Sequence, residues 1–370
     1  MNERFDVAVI GGGPTGTATA IALARAGRSV AVLERSRYEH ERFGEILPPV
    51  ARSPLINLGV WDRFITEGHA SSPGILSAWG QNEPYENHFI FNPYGHGWHL
   101  DRRRFDAMLA LSAEEAGAHV CKATRVTSCL PVASRGWQVE FASDGQRNRL
   151  RASFLVYATG RACVAARWQG AKRYFYDRLV GIVGFFPARL AGTEDNCQTL
   201  VEATQNGWWY SARLPDSRLV VAYMTDADLL PKGRIRVSEY WQDRLGRAPN
   251  TRSRLSGWVP EIGLRSVAAN SYRMDHVTGN SWLLAGDAAI AFDPLSSQGI
   301  YRALKSGLLA ARAIQDCLLG DQAALKEYAR GTQRSFDKYL SMRTIIYGRE
   351  QRWASSAFWQ RRQDESDRAL

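Results

Sequence analysis

Three glycines and one acidic residue near the start of the chain have the types and spacing needed to bind a dinucleotide. Gly11, Gly13 and Gly16 form the pattern G-x-G-x-x-G within GGGPTG, and Glu34 follows downstream. In such a loop the first glycine makes a tight turn, the second lets the backbone approach a pyrophosphate, and the third lets a helix pack on a strand. A carboxylate placed like that of Glu34 can accept hydrogen bonds from an adenosine ribose. The pattern therefore indicates a pyrophosphate and ribose site.

The segments around these residues predict the elements that must hold them. DVAVI, residues 6–10, is a short apolar run typical of a buried parallel strand. The alanine-rich TATAIALARAG that follows predicts a helix that stops at Gly27, and SVAVLER predicts a second strand ending in Glu34. The helix N-terminus would offer free N–H groups and a positive dipole to the pyrophosphate. This order predicts dinucleotide binding and leaves NAD and FAD both open.

A second group of residues lies far along the chain and favours FAD. In NSWLLAGDAAIAFDPLSSQG, a predicted short strand is followed by Gly286 and Asp287, a turn at Asp293 and Pro294, and a long helix from Gly299. The carboxylate of Asp287 is suited to bind a ribityl or ribose hydroxyl. Backbone N–H groups at a helix N-terminus stabilise a ligand that gains negative charge, as a reduced flavin does at N1 and the C2 carbonyl.

Five motifs together resemble those of a known family. GGGPTG with Glu34, GEILPP (44–49), LDRRRFD (100–106), LVYATGR (155–161) and AGDAAIAFDPLSSQG are similar, in type and in order, to motifs of FAD-dependent aromatic hydroxylases and flavin-dependent halogenases. The resemblance covers almost the whole chain. It implies FAD as the cofactor and O2 as the co-substrate.

The resemblance also implies a role for each matching residue. One group would hold the ADP half of FAD, with Arg102 alongside and Val126 near the adenine, and a second would hold the ribityl chain and the ring edge. Glu45 would lie beside the flavin. The implied cofactor-binding residues are Gly11, Gly13, Pro14, Thr15, Gly16, Glu34, Arg35, Glu45, Arg102, Val126, Thr159, Gly160, Gly286, Asp287, Pro294, Gly299 and Ile300.

The source of electrons stays open at this stage. Tyr157 stands where many relatives have an aspartate before ATG, and the aspartate-glycine pair that helps some hydroxylases use NADPH is missing around residues 151–161. Either NAD(P)H reduces the flavin directly, or a separate flavin reductase supplies the electrons.

The pattern predicts an α/β fold with an interleaved FAD-binding Rossmann-type domain, an antiparallel β-sheet substrate domain over the flavin, and C-terminal helices. Apolar or alternating segments such as RLVGIVGFFPARL and RLVVAYMTDAD are typical of an antiparallel sheet, and Pro215, Asp216 and Ser217 predict a hairpin turn. The predicted bounds are 1–69, 97–166 and 270–320 for the FAD-binding domain, 70–96 and 167–269 for the substrate domain, and 321–370 for the helical region.

Several chemistries fit such a flavoprotein. We expect an FAD-dependent monooxygenase that hydroxylates an indole- or phenol-like ring through a flavin C4a-hydroperoxide, with the protein supplying a dry pocket and orientation. The alternative is the same reaction on a tryptophan side chain of a partner protein, as in flavoproteins that mature tryptophylquinone cofactors, since a basic surface suits a protein substrate. A non-catalytic FAD-binding protein is least favoured.

Halogenation is less favoured because two sequence features of tryptophan-type halogenases are missing. Tryptophan-type halogenases channel hypohalous acid to a lysine downstream of GES, and this chain has no lysine before Lys122. The signature W-x-W-x-I-P is also broken, since Trp208 matches while Tyr210, Ala212 and Arg213 replace the other fixed residues.

Aromatic and polar residues near these motifs are candidates for the substrate pocket. On a strand Trp208 and Tyr210 share one face and Trp209 lies on the other, and we expect the first pair to face the site. The alternative for each aromatic is sheet core. The pocket candidates are Trp79, His99, Trp208, Tyr210 and Glu45.

Composition limits the remaining classes. The formal net charge of +10 is spread along the chain without a long basic block, which favours solubility or an acidic partner over nucleic acid. Five scattered cysteines without CxxC, and histidines without H-x-x-x-H, predict no metal site and a reducing compartment. No apolar run is long enough to span a bilayer and no secretory pattern opens the chain, so we expect a cytoplasmic protein without a membrane span.

Overall fold

A computed structural model describes most of the chain, namely residues 3–132, 136–163, 168–187, 197–231, 237–255, 263–321 and 323–363. The strands are β1 (Glu3–Ile10), β2 (Val30–Leu33), β3 (Ile46–Leu47), β4 (Ala70–Ser72), β5 (Gly74–Ala78), β6 (Tyr85–His88), β7 (Gly97–His99), β8 (His119–Cys121), β9 (Thr124–Pro131), β10 (Trp137–Ser143), β11 (Gln146–Tyr157), β12 (Arg173–Phe175), β13 (Leu179–Phe186), β14 (Thr199–Thr204), β15 (Gly207–Arg213), β16 (Leu219–Asp226), β17 (Arg265–Ala268), β18 (Tyr272–Met274), β19 (Thr278–Gly279), β20 (Trp282–Leu284) and β21 (Ile290–Ala291). The helices are α1 (Pro14–Arg25), α2 (Arg52–Asn57), α3 (Trp61–Thr66), α4 (Arg102–Glu115), α5 (Val237–Leu245), α6 (Pro249–Arg254), α7 (Gly299–Leu318), α8 (Ala324–Gly348) and α9 (Ala357–Gln363).

A mixed sheet built on β1 forms the first layer. Parallel strands run in the order β20, β11, β1, β2 and β8, while β19 and the β9–β10 hairpin join by antiparallel pairing. Val7, Ala8 and Val9 of β1 are fully buried, as expected for a parallel strand covered on both faces. The predicted Rossmann-type α/β fold is confirmed.

Helices α1 and α7 cross closely beside this sheet. A Cβ atom at Gly307 would lie 2.6 Å from the Thr15 carbonyl oxygen and 2.7 Å from the Ala18 Cβ. The Thr19 hydroxyl donates across the crossing to the Gly307 carbonyl at 3.3 Å. A glycine is needed at this close approach, since any side chain would separate the two helices.

A seven-stranded sheet forms the second layer, in the order β17, β13, β16, β15, β14, β5 and β6. All its pairs are antiparallel except β14 with β5. The predicted hairpin is confirmed between β15 and β16, where Arg213 pairs with Leu219 and Ser217 adopts φ +67° in the turn. Two small three-stranded sheets, β12–β18–β21 and β3–β7–β4, complete the fold.

The two faces of the seven-stranded sheet pack against different partners. Helix α5 covers one face, where the Trp209 ring lies 4.8 Å from Tyr223 and 4.9 Å from Trp241 between centroids. The other face carries Trp208 and meets the C-terminal helices. The alternation of β15 therefore places its adjacent tryptophans in separate cores.

Helix α9 packs onto the protein itself. Phe358 and Trp359 are fully buried, and the Trp359 indole N–H donates to the Thr204 carbonyl at 3.1 Å. Arg362 forms a buried two-point ion pair with Asp226, with Nη2 2.5 Å from Oδ1 and Nη1 3.1 Å from Oδ2. The C-terminal segment is thus part of the core of the second layer.

No helix in the described ranges is long and apolar enough to cross a membrane.

Candidate active site

A cavity of about 1140 Å³ lies between the two layers. Its lining comes from the loop after β1 with the first turn of α1, from the loop that leads into α7, and from strands β13, β15, β16 and β17. Two parts can be distinguished. We call the part beside α1 and α7 the cofactor half, and the part bounded by β13, β15, β16 and β17 the sheet half.

Glycines shape the turn between β1 and α1. Gly11 has φ +104°, and a Cβ atom there would lie 2.5 Å from the Ala158 carbonyl oxygen. A Cβ atom at Gly16 would collide with the Gly11 carbonyl oxygen. Helix α1 begins after Gly13, and no side chain of the described residues caps its first N–H groups. These groups are therefore available to an anion in the cavity.

The Glu34 carboxylate lies at the end of β2, beside this turn. It accepts hydrogen bonds from the Gly12 N–H at 2.7 Å, the Ser36 hydroxyl at 2.6 Å and Arg42 Nη2 at 3.0 Å. Burial raises the pKa of Glu34, but the hydrogen bonds from Ser36 and Gly12 and the charge of Arg42 outweigh it, so the pKa is lowered. Glu34 is thus an anionic acceptor, as ribose hydroxyls require.

Arg42 was not among the residues predicted from the sequence. Its guanidinium joins Glu34 to Asp106, with Nη1 3.0 Å from Asp106 Oδ2. The same nitrogen would lie 3.8 Å from a Cβ atom at Gly13. Arg42 therefore places a positive charge next to the turn where a pyrophosphate would lie. No spacing rule identifies it, because it reaches the site from a connecting segment rather than from a motif.

Helix α7 points a second N-terminus at the same cavity. Within the described ranges no side chain caps it at Gln298, and Pro294, Ser297, Gly299 and Ile300 line the cavity around it. Asp287 also lines the cavity, with Oδ2 3.5 Å from Arg161 Nε. The close crossing at Gly307 is what allows two helix N-termini to face one space.

Most residues predicted to bind the cofactor line this cavity. Two do not: Gly16 packs under the first turn, and a Cβ atom at Gly286, which has φ +61°, would collide with the Thr15 hydroxyl. These two glycines serve close packing behind the site. The predicted residues that line the cavity are Gly11, Gly13, Pro14, Thr15, Glu34, Arg35, Glu45, Arg102, Val126, Thr159, Gly160, Asp287, Pro294, Gly299 and Ile300.

Side chains rather than backbone form the sheet half. Trp208 and Tyr210 of β15 line it, next to small and flexible side chains on neighbouring strands such as Ala222 and Met224. The Trp208 indole N–H donates to the Tyr347 hydroxyl at 3.0 Å, and that hydroxyl donates to Asp293 Oδ2 at 2.6 Å. This chain of hydrogen bonds fixes the orientation of the Trp208 ring.

Glu45 lies where the two halves meet. Its side chain is 3% exposed, and its Oε2 accepts a hydrogen bond from the Tyr210 hydroxyl at 3.2 Å. Burial raises the pKa of Glu45, although its own backbone N–H, the charge of Arg102 and the bond from Tyr210 oppose this. The pKa of Tyr210 is raised by burial and by Glu45, so the phenol keeps its proton.

The structure places Trp79 and His99 away from the cavity. Trp79 packs on the C-terminal helices, where its indole N–H donates to the Ile346 carbonyl at 2.9 Å and its ring lies 5.2 Å from Trp359. His99 is fully buried in β7, with Nε2 2.8 Å from the Thr199 hydroxyl, and burial lowers its pKa to about 4. Both side chains support the walls from behind.

The cavity fits FAD in its hydrogen-bond donors and its charge. Two helix N-termini without a side-chain cap from the described residues face it, one suited to a pyrophosphate and one to the anionic edge of a reduced ring. The carboxylate of Glu34 matches a ribose. These features define the class of protein as a dinucleotide-binding flavoprotein.

Comparison with known proteins agrees with that class. The chain belongs to the FAD binding domain family, which matches residues 4–338. It is 30% identical, over 372 residues, to the putative FAD-dependent oxidoreductase LodB of Marinomonas mediterranea, covering 97% of each chain. It is 27% identical to a tryptophan 2-halogenase of Chondromyces crocatus, covering 92% of this chain and 67% of that one. The protein is an FAD-dependent oxidoreductase.

Two solved structures extend the comparison. The myxobacterial chondrochloren halogenase CndH superposes with a TM-score of 0.88 and 27% identity, covering 97% of this chain and 86% of that one. The peptidyl tryptophan dihydroxylase QhpG, described as essential for tryptophylquinone cofactor biogenesis, superposes with a TM-score of 0.81 and 25% identity, covering 99% and 80%. The predicted resemblance to this superfamily is confirmed.

Proposed function

We propose that the protein is an FAD-dependent monooxygenase that hydroxylates an electron-rich aromatic ring, with the indole of a tryptophan in a partner protein as its preferred substrate. The cofactor when bound would activate dioxygen. The protein would bind and orient the ring and exclude water.

The observation that carries this proposal is the lining of the sheet half. Trp208 and Tyr210 provide an aromatic wall, and Val183, Val220 and Ala222 leave room beside it for a flat ring. Aromatic rings stack favourably on such walls, and an apolar lining keeps water from the reacting centre. The Trp208–Tyr347–Asp293 chain would hold the wall in one orientation, which supports positional selectivity.

The same lining argues against halogenation. None of the described residues that line the cavity is a lysine, so the side chain that tryptophan-type halogenases use has no counterpart there. Hydroxylation needs no such group, because the activated oxygen reacts directly with the ring.

One solved relative supports a protein-borne tryptophan as the substrate. QhpG, with 99% of this chain covered, acts on a peptidyl tryptophan. The net charge of +10 would steer an acidic partner towards the protein.

The test uses the FAD-loaded protein with isotopically labelled dioxygen. Electrons are supplied in parallel reactions by NADPH alone and by a flavin reductase, which also identifies the donor. Free tryptophan, simple phenols and short tryptophan-containing peptides are compared. We expect labelled oxygen on the peptidyl indole. With bromide present, brominated product without labelled oxygen would refute the proposal.

A further inference from the structure

One oxygen of the Glu45 carboxyl group has no hydrogen-bond partner among the described residues. Oε2 accepts from Tyr210, but Oε1 is buried and has no hydrogen-bond partner among the described residues. Leaving a buried polar atom unpaired is unfavourable, and more so for a charged group. Such an atom in a binding cavity marks the position of a hydrogen-bond donor in the ligand.

The backbone holds this carboxyl group in place. The Leu100 N–H donates to the Glu45 carbonyl at 2.8 Å, and the next residue, Ile46, begins β3, which pairs with β7. Two other groups face the carboxyl group from packed elements: the Arg102 guanidinium of α4 and the Tyr210 hydroxyl of β15. The backbone N–H groups of Gly44 and of Glu45 itself also lie close to the carboxyl group. None of these groups meets Oε1 with hydrogen-bond geometry among the described residues, so the free acceptor belongs to the folded state.

The surroundings restrict the donor to an aromatic one. Phe43 precedes Glu45 by two residues and lines the cavity, and Trp208 and Tyr210 lie on the facing strand. A cationic donor would meet Arg102 near the same carboxyl group. A neutral ring that carries its own N–H or O–H fits both the apolar walls and the free oxygen.

We propose that Glu45 Oε1 accepts the N–H of an indole substrate, or the O–H of a phenol, and takes its proton as oxygen is added to the ring. This inference rests on the proposed function and assigns its substrate contact. When electrophilic oxygen forms a bond to a ring carbon, positive charge spreads to the ring nitrogen, and loss of the N–H proton to Glu45 gives a neutral imine. As the C–O bond forms, the O–O bond of the dioxygen-derived donor would break, and its electron pair would stay on the oxygen left behind, which takes the proton lost from the attacked carbon. Return of the first proton from Glu45 to the ring nitrogen then restores the aromatic ring. The net change is one C–H bond converted to C–O–H.

The experiment measures binding alone, so it is independent of turnover. Indole and benzofuran have nearly the same shape, but benzofuran has no N–H. Their dissociation constants are measured calorimetrically with the oxidised, FAD-loaded protein and no reductant. We expect indole to bind about 10- to 100-fold more tightly at a pH high enough to ionise Glu45, as expected for a hydrogen bond to a carboxylate. The preference falls at acid pH as Glu45 is protonated.

Two substitutions at the same position separate charge from shape. Glu45→Leu removes the acceptor and is expected to reduce the preference to within twofold. Glu45→Gln keeps an acceptor, so a smaller preference should remain and should no longer change with pH. Glu41→Gln is the matched control, because its carboxylate pairs with Arg218 and is not part of the cavity lining. It should behave as the wild type.

Three results would overturn the inference. Equal binding of indole and benzofuran by the wild type would do so, as would an unchanged preference in Glu45→Leu. A loss of FAD affinity in Glu45→Leu, measured by flavin fluorescence, would assign the free oxygen to the cofactor instead. If the binding preference holds but no labelled oxygen is incorporated, the proposed function fails while the contact stands.

Discussion

The two halves of the cavity are built by different means. In the cofactor half, backbone N–H groups, glycines and helix ends face the space, and side chains mainly support them. In the sheet half, the walls are side chains of alternating strand residues, held by partners far away in sequence such as Tyr347. The cofactor half depends on positions that must have no side chain. The sheet half depends on which side chains its strands carry.

This difference explains how one fold carries several activities. CndH and QhpG, a halogenase and a dihydroxylase, both superpose on this chain with TM-scores above 0.8. A backbone-built site tolerates few substitutions, while strand side chains can change one at a time without altering the fold. Chemistry in this superfamily is therefore expected to diverge in the sheet half.

The largest effect is expected at the turn after β1. Replacing Gly16 with alanine would drive a Cβ atom into the Gly11 carbonyl oxygen, and both atoms belong to rigid backbone. We expect loss of FAD binding and a decrease of several kcal/mol in the free energy of unfolding. Flavin absorbance after purification and urea denaturation measure the two effects.

Gly13→Ala is the matched change in the same turn. Its Cβ atom would meet only Arg42 Nη1, at 3.8 Å, so folding should be nearly unaffected. The new methyl group would nevertheless stand between the backbone and a pyrophosphate, and FAD affinity should fall. If Gly13→Ala bound FAD normally, the pyrophosphate would not lie against this turn.

A smaller effect is expected at the adjacent tryptophans, because Trp208 lines the cavity and Trp209 packs in the core under α5. Trp208→Phe removes the donor to Tyr347 and reshapes the cavity wall, whereas Trp209→Phe removes similar bulk from the core under α5. Each should lose about 1–2 kcal/mol of stability. Only Trp208→Phe should lower the fraction of consumed dioxygen that appears in product, by about tenfold. Equal coupling in both variants would show that Trp208 is structural.

The smallest effect is expected in how the free energy of unfolding of the cofactor-free protein depends on pH. Because the pKa of Glu45 is raised in the folded state, the unfolded chain ionises first as pH rises above the ordinary value of 4.5. Glu45→Gln lacks this penalty, so its free energy of unfolding should exceed that of the wild type above pH 4.5, by an amount that grows with pH until Glu45 is ionised in the folded protein. The advantage should vanish below pH 4.5. A gain that persisted in acid would have another cause.

The sequence predicts the cofactor half well because its requirements are local. A glycine is needed wherever a Cβ atom would collide, and Gly11, Gly16 and Gly286 each meet that condition with atoms fixed by neighbouring elements. Strand alternation likewise predicts that Trp208 and Tyr210 share a face. Both rules depend only on backbone geometry.

Contacts across long separations explain the residues that sequence reasoning missed or misplaced. Tyr347 lies 139 residues after Trp208, on helix α8, and no sequence pattern predicts that the two side chains meet. Trp79 directly follows β5 of the seven-stranded sheet, but its side chain packs against the C-terminal helices rather than in the cavity. Which helix packs on which strand is decided by the whole fold, so aromatic composition alone does not distinguish wall from support.

The C-terminal ion pair between Arg362 and Asp226 has a consequence for synthesis. Strand β16 is complete more than a hundred residues before its partner Arg362 emerges from the ribosome, and β11 likewise waits for β20 to pair. Until then the Asp226 carboxylate lacks its ion-pair partner Arg362, and β11 lacks its neighbouring strand β20. The second layer and the edge of the mixed sheet should therefore be completed only after residues 282–284 and 362 have been synthesised, and FAD should bind after that.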